Sequence, residues 1–248
     1  MNSGKFVWFD LMSTDPKASE DFYVGLFGWR VVPRDMGEMG VYRMLYAGDA
    51  GIGGIEASGG KTYWLGYVTD PDVDATVARV GQLGGKVVSP PMDIPGVGRF
   101  AVIADRQGAS LAAMTFPQPA GDAPKGPGTF CWKELHTTDP ADARRFWCAV
   151  FGWGAKDLDL GRGGLYHAVT RGEEQEGGVM RMHGAYPPHW LYYVDVADVD
   201  AMTARATSLG GNLFVGPSDY RGMGRFSVIA DPQGGVIGLF KAGPGRRS

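Results

Sequence analysis

Apolar and polar positions along the first third of the chain change period in a fixed order. Alternation over Phe6–Met12 predicts a first strand. Apolar residues at every fourth position then predict a helix that starts after Asp15 and ends at Gly28, two residue types suited to helix ends. Three more strands are predicted around Arg30–Pro33, Val41–Tyr46 and Gly51–Ile55. The resulting unit is one strand, one helix and three strands.

The next stretch of the chain repeats this order. Trp64–Val68 is predicted as a strand, and Asp70 with Pro71 would cap a helix that runs to Leu83. Strands are then predicted near Val87, over Arg99–Ala104 and over Ser110–Thr115. Two such βαβββ modules in a row indicate an α+β fold.

The second half of the chain then repeats the whole pattern. One block is FVWFDLMSTDPKASEDFYVGLFGW, from Phe6, which returns as FCWKELHTTDPADARRFWCAVFGW, from Phe130. Another is GRFAVIADRQG, from Gly98, which returns as GRFSVIADPQG, from Gly224. Matches of this length predict two homologous domains, residues 1–118 and 128–242, and so four modules paired two per domain. The Pro- and Gly-rich stretch between them predicts a linker over residues 119–127, and residues 243–248 would be a tail.

Composition and charge then exclude several classes of protein. The 248 residues include 24 Lys and Arg against 27 Asp and Glu, a net charge of -3, which excludes nucleic-acid binding by bulk positive charge. No apolar run is long enough to span a membrane, and the start does not resemble a signal peptide. Cys131 and Cys148 are too few for a disulfide framework and are expected to be small buried side chains. We expect a cytoplasmic protein with neither nucleic-acid nor membrane partners.

The first strand of each predicted domain carries one face that is not purely apolar. That face holds Trp8, Asp10 and Met12, and in the second copy it holds Trp132, Glu134 and His136. Side chains two residues apart on a strand lie about 7 Å apart on one side, so Glu134 and His136 can converge on one ligand. Asp10 and Glu134 would either contact a ligand or form structural ion pairs, with Arg99 and Arg225 as candidate partners.

Aromatic side chains recur at matching positions on the other strands. Those expected to line the same faces are Trp64, Trp190, Tyr192, Tyr42 and Tyr166. If the sheets curve, they would enclose aromatic-lined cavities with one or two carboxylates each, the composition of a small-molecule site. The competing interpretation is that the repeated tryptophans are core residues. The repeated aspartates in Gly- and Pro-rich contexts are expected in turns, namely Asp93, Asp105, Asp219 and Asp231.

All four histidines lie in the second predicted domain. They are His136, His167, His183 and His189. This one-sided distribution is consistent with a single metal or acid–base site, although the spacing matches no compact zinc signature.

Two repeated segments carry a family resemblance. They are the block Asp15–Trp29 with its copy Asp139–Trp153, and the two D-x-x-G turns at Asp105–Gly108 and Asp231–Gly234. With the paired βαβββ modules, they resemble the vicinal oxygen chelate superfamily, which includes glyoxalase I, extradiol dioxygenases and bleomycin-resistance proteins. More narrowly, the GRF-x-V-I-A-D-x-Q-G strand is similar to tandem two-domain actinobacterial proteins described as glyoxalase-like or "hydroxylase". The resemblance covers nearly the whole chain and implies, for each domain, a U-shaped mixed sheet around a cleft with helices outside.

The resemblance also implies where a divalent metal would bind, and the chain departs from that pattern. Enzymes of the superfamily hold the metal with His, Glu or Gln on the first strand of a module and Glu on the last. The matching first-strand positions here are Trp8, Trp64, Trp132 and Trp190, and the matching last-strand positions are Gly54, Ala112, Gly178 and Gly238. None of these side chains binds a divalent metal, so we expect no metal and no other cofactor. A replacement metal site at Glu134 and His136 stays open.

Two main functions, from different classes, are consistent with these residues. In one, the protein is a metal-independent lyase, isomerase, cyclase or hydratase for an apolar or aromatic metabolite, with Glu134 as general acid or base and His136 as its partner. Asp10 would serve an accessory site, and the aromatic residues with Met12 would bind substrate. In the other, the protein binds and sequesters an aromatic compound, as bleomycin-resistance relatives do.

A third function, protein interaction through collapsed clefts, is also open. The actinobacterial resemblance implies natural-product metabolism. Because two domains in one chain can supply the pairing that single-domain relatives obtain by dimerising, the protein could be a monomer or a homodimer.

Overall fold

The computed structural model describes most of the chain. The residues outside the description are 1–2, 38–39, 119–120, 122, 160–164, 183, 185, 221–222 and 244–248, together with the side chains of residues 159 and 165. His183, part of the predicted linker and most of the predicted tail therefore lie outside the described residues.

The described residues form the elements that the periodicity predicts. The first repeat contains β1 Phe6–Ser13, α1 Pro16–Phe27, β2 Arg30–Asp35, β3 Val41–Ala47, β4 Ala50–Ala57, β5 Tyr63–Thr69, α2 Val73–Gln82, β6 Lys86–Ile94, β7 Gly98–Ala104 and β8 Ser110–Thr115. The second repeat contains β9 Phe130–Thr137, α3 Pro140–Phe151, β10 Gly154–Asp159, β11 Leu165–Arg171, β12 Glu174–Arg181, β13 His189–Asp195, α4 Val199–Ser208, β14 Asn212–Tyr220, β15 Gly224–Ala230 and β16 Val236–Ala242. Within the described residues, none of these helices is long and apolar enough to cross a membrane.

Local capping explains the helix boundaries. The Asp15 carboxylate accepts a hydrogen bond from the Ala18 backbone N–H at 3.1 Å, and Gly28 ends α1 with φ 71°, a left-handed conformation that glycine adopts without strain. The predicted start of α2 was wrong by two residues, because Asp72 rather than Asp70 is its N-cap. Asp70 instead accepts hydrogen bonds from the Asp72 N–H and the Thr76 hydroxyl, both at 2.8 Å.

Each repeat forms one mixed eight-stranded sheet. The strand orders are β2-β3-β4-β1-β5-β8-β7-β6 and β10-β11-β12-β9-β13-β16-β15-β14. In each module the first strand pairs in parallel with the last, for example β1 with β4 and β9 with β12, while the strands in between pair antiparallel. The predicted α+β fold of paired βαβββ modules is confirmed.

The two compact units of the structure do not coincide with the two sequence repeats. One compact unit consists of Met1–Trp8, Leu65–Asp122 and Lys133–Trp190, and the other of Phe9–Trp64, Ala123–Trp132 and Leu191–Ser248. The first unit therefore contains α2 and α3, which contact each other, and the second contains α1 and α4, which also contact each other. Each compact unit thus takes one module from each repeat, whereas the domain limits predicted from the sequence follow the repeat.

Two buried aspartates connect modules of different repeats inside these units. Asp231 accepts hydrogen bonds from the Gln233 and Gly235 N–H groups at 2.9 and 2.7 Å, which shapes the predicted turn, and from the Ser19 hydroxyl of α1 at 3.1 Å. Because Ser19 belongs to the first repeat and Asp231 to the second, the turn also holds the two modules together.

The equivalent turn in the other unit has the same construction. Asp105 accepts hydrogen bonds from the Gln107 and Ala109 N–H groups at 2.9 and 3.1 Å. The indole N–H of Trp147, on α3, donates to the same carboxylate at 3.1 Å. The predicted turn role of both aspartates is confirmed, and the helix contact adds to it.

The arginines of the repeated GRF motif do not pair with the first-strand carboxylates, so that expectation was wrong. Arg99 binds Asp74 and Asp93, and Arg225 binds Asp200 and Asp219. Asp93 and Asp219 lie on strands β6 and β14 rather than in turns, which corrects their expected placement. The expected burial of the thiols is also corrected, since Cys131 and Cys148 are half-buried rather than buried.

Candidate functional sites

The first candidate site, called the Asp10 site, consists of Asp10, Met12, Tyr42, Gly54 and Glu56. Asp10 pairs with Gly54 and Met12 with Glu56 in the parallel β1–β4 register, so these four positions share one face. Asp10 is 3% exposed, and the Tyr42 hydroxyl donates a hydrogen bond of 2.7 Å to its carboxylate.

Tyr42 reaches Asp10 only because residue 54 is glycine. A Cβ atom at position 54 would lie 2.2 Å from the Tyr42 hydroxyl oxygen, which is far inside van der Waals contact. The phenol therefore fills the space that a side chain at position 54 would need. Tyr42 and Gly54 act as a matched pair that supports the carboxylate.

Glu56 is a site residue that the sequence reasoning missed. Burial, together with the nearby negative charge of Asp10, raises the pKa of Glu56 to about 7. Burial and the charge of Glu56 in turn raise the pKa of Tyr63, at the start of β5. The available signal was strand alternation, because Glu56 lies two residues beyond Gly54 on the same strand.

The second candidate site, called the Glu134 site, consists of Glu134, His136, Tyr166, Gly178 and His189. Glu134 pairs with Gly178 across β9 and β12, and the Glu134 Oε2 atom lies 2.8 Å from the His136 Nε2 atom. Both side chains are mostly buried, with 13% of Glu134 and 23% of His136 exposed. The structure thus brings together the two side chains that strand alternation places on one face.

His189 and Tyr166 complete this group. The rings of His136 and His189 stack with their centroids 5.3 Å apart, and His189 Nδ1 lies 2.9 Å from the Pro187 carbonyl oxygen. Burial lowers the pKa of His189, and the nearby His136 lowers it further. Tyr166 lies over Gly178, where a Cβ atom would come within 1.9 Å of the phenol oxygen, as Tyr42 lies over Gly54.

The remaining histidine of the described residues, His167, belongs to a different pair. His167 Nδ1 lies 2.7 Å from Asp157, in a separate pair beside Arg144. Across the ranges that the structure describes, which leave out His183, no three or more His, Cys, Asp or Glu side chains form a group that could hold a metal ion. The prediction that no metal binds stays a prediction.

Three aromatic residues expected on the carboxylate faces lie on the opposite faces, and that expectation was wrong. Tyr67 pairs with Ala112, so Leu65 and Tyr67 share the face of Ala112 and Trp64 points the other way. The indole N–H of Trp64 donates to the Tyr23 hydroxyl of α1 at 3.2 Å, as a core residue.

The same correction applies to the second repeat. Tyr193 pairs with Gly238, which turns Trp190 and Tyr192 to the other face. The Trp190 ring lies 6.0 Å from that of Trp147 on α3, and Tyr192 is fully buried, 5.2 Å from Phe9 between ring centroids. These residues belong to the aromatic core.

Trp8 and Trp132 keep the face that alternation assigns to them. Trp8 is half-buried against a cluster formed by Leu65, Tyr67, Val102, Ala112 and Met114. Trp132 is half-buried against Leu191, Tyr193 and Val228. Both indoles are therefore packed on apolar side chains on one side while part of each remains exposed.

The residues present do not fit the metal that the family resemblance implies. The corrected first-strand positions in the second and fourth modules hold Leu65 and Leu191, which have no donor atom. Tyrosine rings occupy the space that a last-strand ligand would need at Gly54 and Gly178, and also at Gly238, where a Cβ atom would lie 2.2 Å from Tyr193. At these glycines, the space for a ligand side chain is filled.

Two sheets of paired βαβββ modules define a protein of glyoxalase-like fold. The chain belongs to the Glyoxalase/Bleomycin resistance protein/Dioxygenase superfamily, whose family model matches residues 5–112. A second family model, described as a glyoxalase-like domain, matches residues 132–240. The resemblance inferred from the sequence is confirmed for both repeats.

Relatives align over nearly their full length. The chain is 35% identical to the anthracycline biosynthesis protein DauV of Streptomyces sp. (strain C5), over 97% of this chain and 95% of the relative. It is 34% identical to CFP32 of Mycobacterium tuberculosis, a provisional glyoxylase by name, over 96% and 94%. Among solved structures, the Mn(II)-bound glyoxalase of Novosphingobium aromaticivorans superposes with a TM-score of 0.68 at 19% identity, over 97% of this chain and 82% of that one. At this identity, the likeness shows the fold alone.

Proposed function

We propose that this protein is a metal-independent enzyme that transfers protons on a small apolar or aromatic molecule at the Glu134 site. The observation that carries the proposal is the 2.8 Å contact between Glu134 and His136 on one strand face. A carboxylate that orients an imidazole and stabilises its charged form is a recurrent arrangement for general acid–base catalysis. Glu134 would give or take the proton, and His136 would relay it.

The Asp10 site is assigned an accessory role. Its carboxylate is held by Tyr42, and the first repeat has no histidine that could relay a proton. Asp10 and Glu56 would therefore contribute to binding more than to turnover. Met12 and Tyr42 remain proposed binding residues there, as Tyr166, Trp8 and Trp132 do on the faces that they occupy.

An aromatic natural product is the proposed substrate class. Two relatives that align over most of this chain are named as anthracycline biosynthesis proteins, and the tyrosines and half-buried indoles described above suit an aromatic ring. We also propose that a small molecule is the partner, rather than nucleic acid or a membrane, and that the protein acts in the cytoplasm as a monomer or homodimer.

The test uses the full chain with daunorubicin and its aglycone as anthracycline probes, in buffered D2O after chelator treatment. Quenching of tryptophan fluorescence measures binding, and mass spectrometry of the recovered probe measures deuterium uptake or conversion. We expect turnover in the wild type. Glu134→Gln and His136→Met should bind the probe but lose about 100-fold or more of the rate. Methionine is the residue that the first repeat carries at the position of His136.

A matched control separates this pair from any His–carboxylate contact. Asp157→Asn removes the acid from the His167 pair in the same compact unit and should leave the rate unchanged. Stoichiometric quenching with every probe recovered unlabelled and unchanged would replace the enzyme with a sequestering protein. A rate that disappears on chelation and returns with a divalent metal would contradict the metal-independent mechanism.

A further inference from the structure

We infer that His189 is the proton acceptor of the Glu134 site and that His136 is its proton donor, so that the site converts a carbonyl compound to its enol. This inference rests on the proposed function and assigns the proton transfers within it: Glu134 holds the charged form of His136, while His136 and His189 exchange protons with the substrate. It also narrows the substrate to a molecule with a hydrogen on the carbon next to a carbonyl group.

Hydrogen-bond partners determine which ring nitrogen of each histidine carries hydrogen. His189 Nδ1 faces the Pro187 carbonyl oxygen at 2.9 Å, and a carbonyl only accepts, so Nδ1 donates and the neutral ring keeps a lone pair on Nε2. His136 Nε2 faces the Glu134 carboxylate at 2.8 Å and therefore also donates. The nitrogens that remain for a substrate are Nε2 of His189 and Nδ1 of His136.

The stacked arrangement favours one charged and one neutral ring. With centroids 5.3 Å apart and planes inclined by 24°, two imidazolium ions would repel each other. Glu134 lies against His136 and offers a partner for its charged form. Burial and the neighbouring His136 both disfavour charge on His189 and lower its pKa. The contact with Glu134 therefore assigns the acid to His136, and the buried neutral ring of His189 is assigned the base.

The proposed step conserves protons and electrons. The C–H bond next to the carbonyl breaks, its proton bonds to His189 Nε2, and its electron pair forms the new C=C bond. The π electrons of the carbonyl move to its oxygen, which takes the Nδ1 proton of His136. The enol forms, the enzyme keeps the same number of protons, and the reverse transfers return the carbonyl compound with a hydrogen exchanged or moved.

The first repeat lacks both groups at the equivalent positions. Tyr63 stands where the second repeat has His189, and Met12 stands where it has His136. The inference therefore predicts that only the second repeat exchanges such a hydrogen. It also supplies His189→Tyr, a substitution by the residue that the other repeat accommodates at the same strand position.

The first measurement is nitrogen-15 NMR of the imidazole rings in the full chain without ligand. We expect the neutral ring of His189 to carry its hydrogen on Nδ1, and the pKa of His189 to lie below the ordinary value for histidine. In His136→Met, the pKa of His189 should rise, because a like-charged neighbour is removed. An Nε2–H tautomer at His189, or a His189 pKa at or above the ordinary value for histidine, would overturn the inference.

The second measurement follows deuterium uptake by daunorubicin and its aglycone in D2O. His189→Tyr should lose about 100-fold or more of the exchange rate while fluorescence quenching and thermal unfolding stay as in the wild type. Exchange that survives in His189→Tyr but not in Glu134→Gln would refute the role of His189 and leave the proposed function standing. Absence of exchange and conversion in the wild type would refute the proposed function and with it the enolisation step.

Discussion

In the first repeat, the strand position two residues after the carboxylate holds Met12, and its partner on the neighbouring strand is Glu56; in the second repeat, the same two positions hold His136 and Met180. The polar side chain of this pair lies on β4 in the first repeat and on β9 in the second, and methionine occupies the other position of the pair in each repeat. The two repeats therefore present the same backbone frame with different chemistry. Position in the frame defines a candidate site, and the choice of side chain defines what the site can do.

What the two sites keep in common is the support of the carboxylate strand. Tyr42 lies over Gly54 and Tyr166 over Gly178, so in each repeat a phenol fills the space beside the carboxylate strand. What differs is the proton relay, since the Glu134 site pairs its carboxylate with an imidazole and the Asp10 site pairs its carboxylate with a phenol. The comparison predicts equal structural roles and unequal chemical roles for the repeats.

The largest expected effect on stability tests the equal structural roles. Asp231→Ala leaves the Gln233 and Gly235 N–H groups and the Ser19 hydroxyl without their acceptor in a buried turn, and should cost about 4 kcal/mol of unfolding free energy. Asp105→Ala removes an equivalent set of bonds and should cost within about 1 kcal/mol of the same amount. Urea unfolding measures both.

Asp219→Ala is the control for this pair of variants. Its side chain is 79% exposed in an ion pair with Arg225, so the substitution should cost less than about 1 kcal/mol. A cost for Asp105→Ala close to that of the control would show that the two turns are not equivalent.

The next largest effect concerns Glu56, a carboxylate at a position where the second repeat has Met180. Native Glu56 keeps its proton to about pH 7, whereas the unfolded chain releases it near pH 4.5, so the native state binds more protons in this interval. The free energy of unfolding should therefore fall by about 3 kcal/mol as the pH rises from about 4 to about 8, and this contribution should not change above that range.

Glu56→Met, which copies Met180 of the second repeat, should remove this pH dependence. Chemical unfolding of wild type and variant at several pH values measures the difference. Parallel pH profiles for the two proteins would show that Glu56 is not the protonated group, and the contrast between the two repeats would then rest on His136 alone.

The smallest effect compares the two core tryptophans. Trp64 donates a hydrogen bond to Tyr23. Among the described residues the buried indole N–H of Trp190 has no acceptor, because α3 carries Trp147 where α1 carries Tyr23. Trp64→Phe should therefore destabilise the protein by about 1 kcal/mol more than Trp190→Phe, since only the first loses a bond. Equal losses in thermal or urea unfolding would contradict this difference.

Much of the architecture was predictable from the sequence because it depends on local rules. The periods of apolar residues located the strands and helices, and Asp15 with Gly28 marked the ends of α1. The repeat itself located the equivalent positions of the two sites. The contact between Glu134 and His136 needed only strand alternation, which acts over two residues.

Other features depended on contacts between distant strands. The predicted faces of Trp64, Trp190 and Tyr192 were wrong because a one-residue difference in register turns every side chain of a strand to the other face. Arg99 and Arg225 were wrongly matched to the first-strand carboxylates, since nearby aspartates of their own modules bind them. Glu56 was not predicted as a site residue. Its raised pKa arises from burial and from the nearby Asp10, and the local sequence pattern shows neither.

The sequence by itself determined the order of the elements, the duplication and the carboxylates of the two first strands, because periodicity, capping and repetition are properties of neighbouring residues. The tertiary structure alone decided which modules form a compact unit, which aromatic rings enter the core, and that His189 stacks on His136. Those outcomes depend on strand register and helix packing, which join residues far apart in the chain and leave no local period to detect.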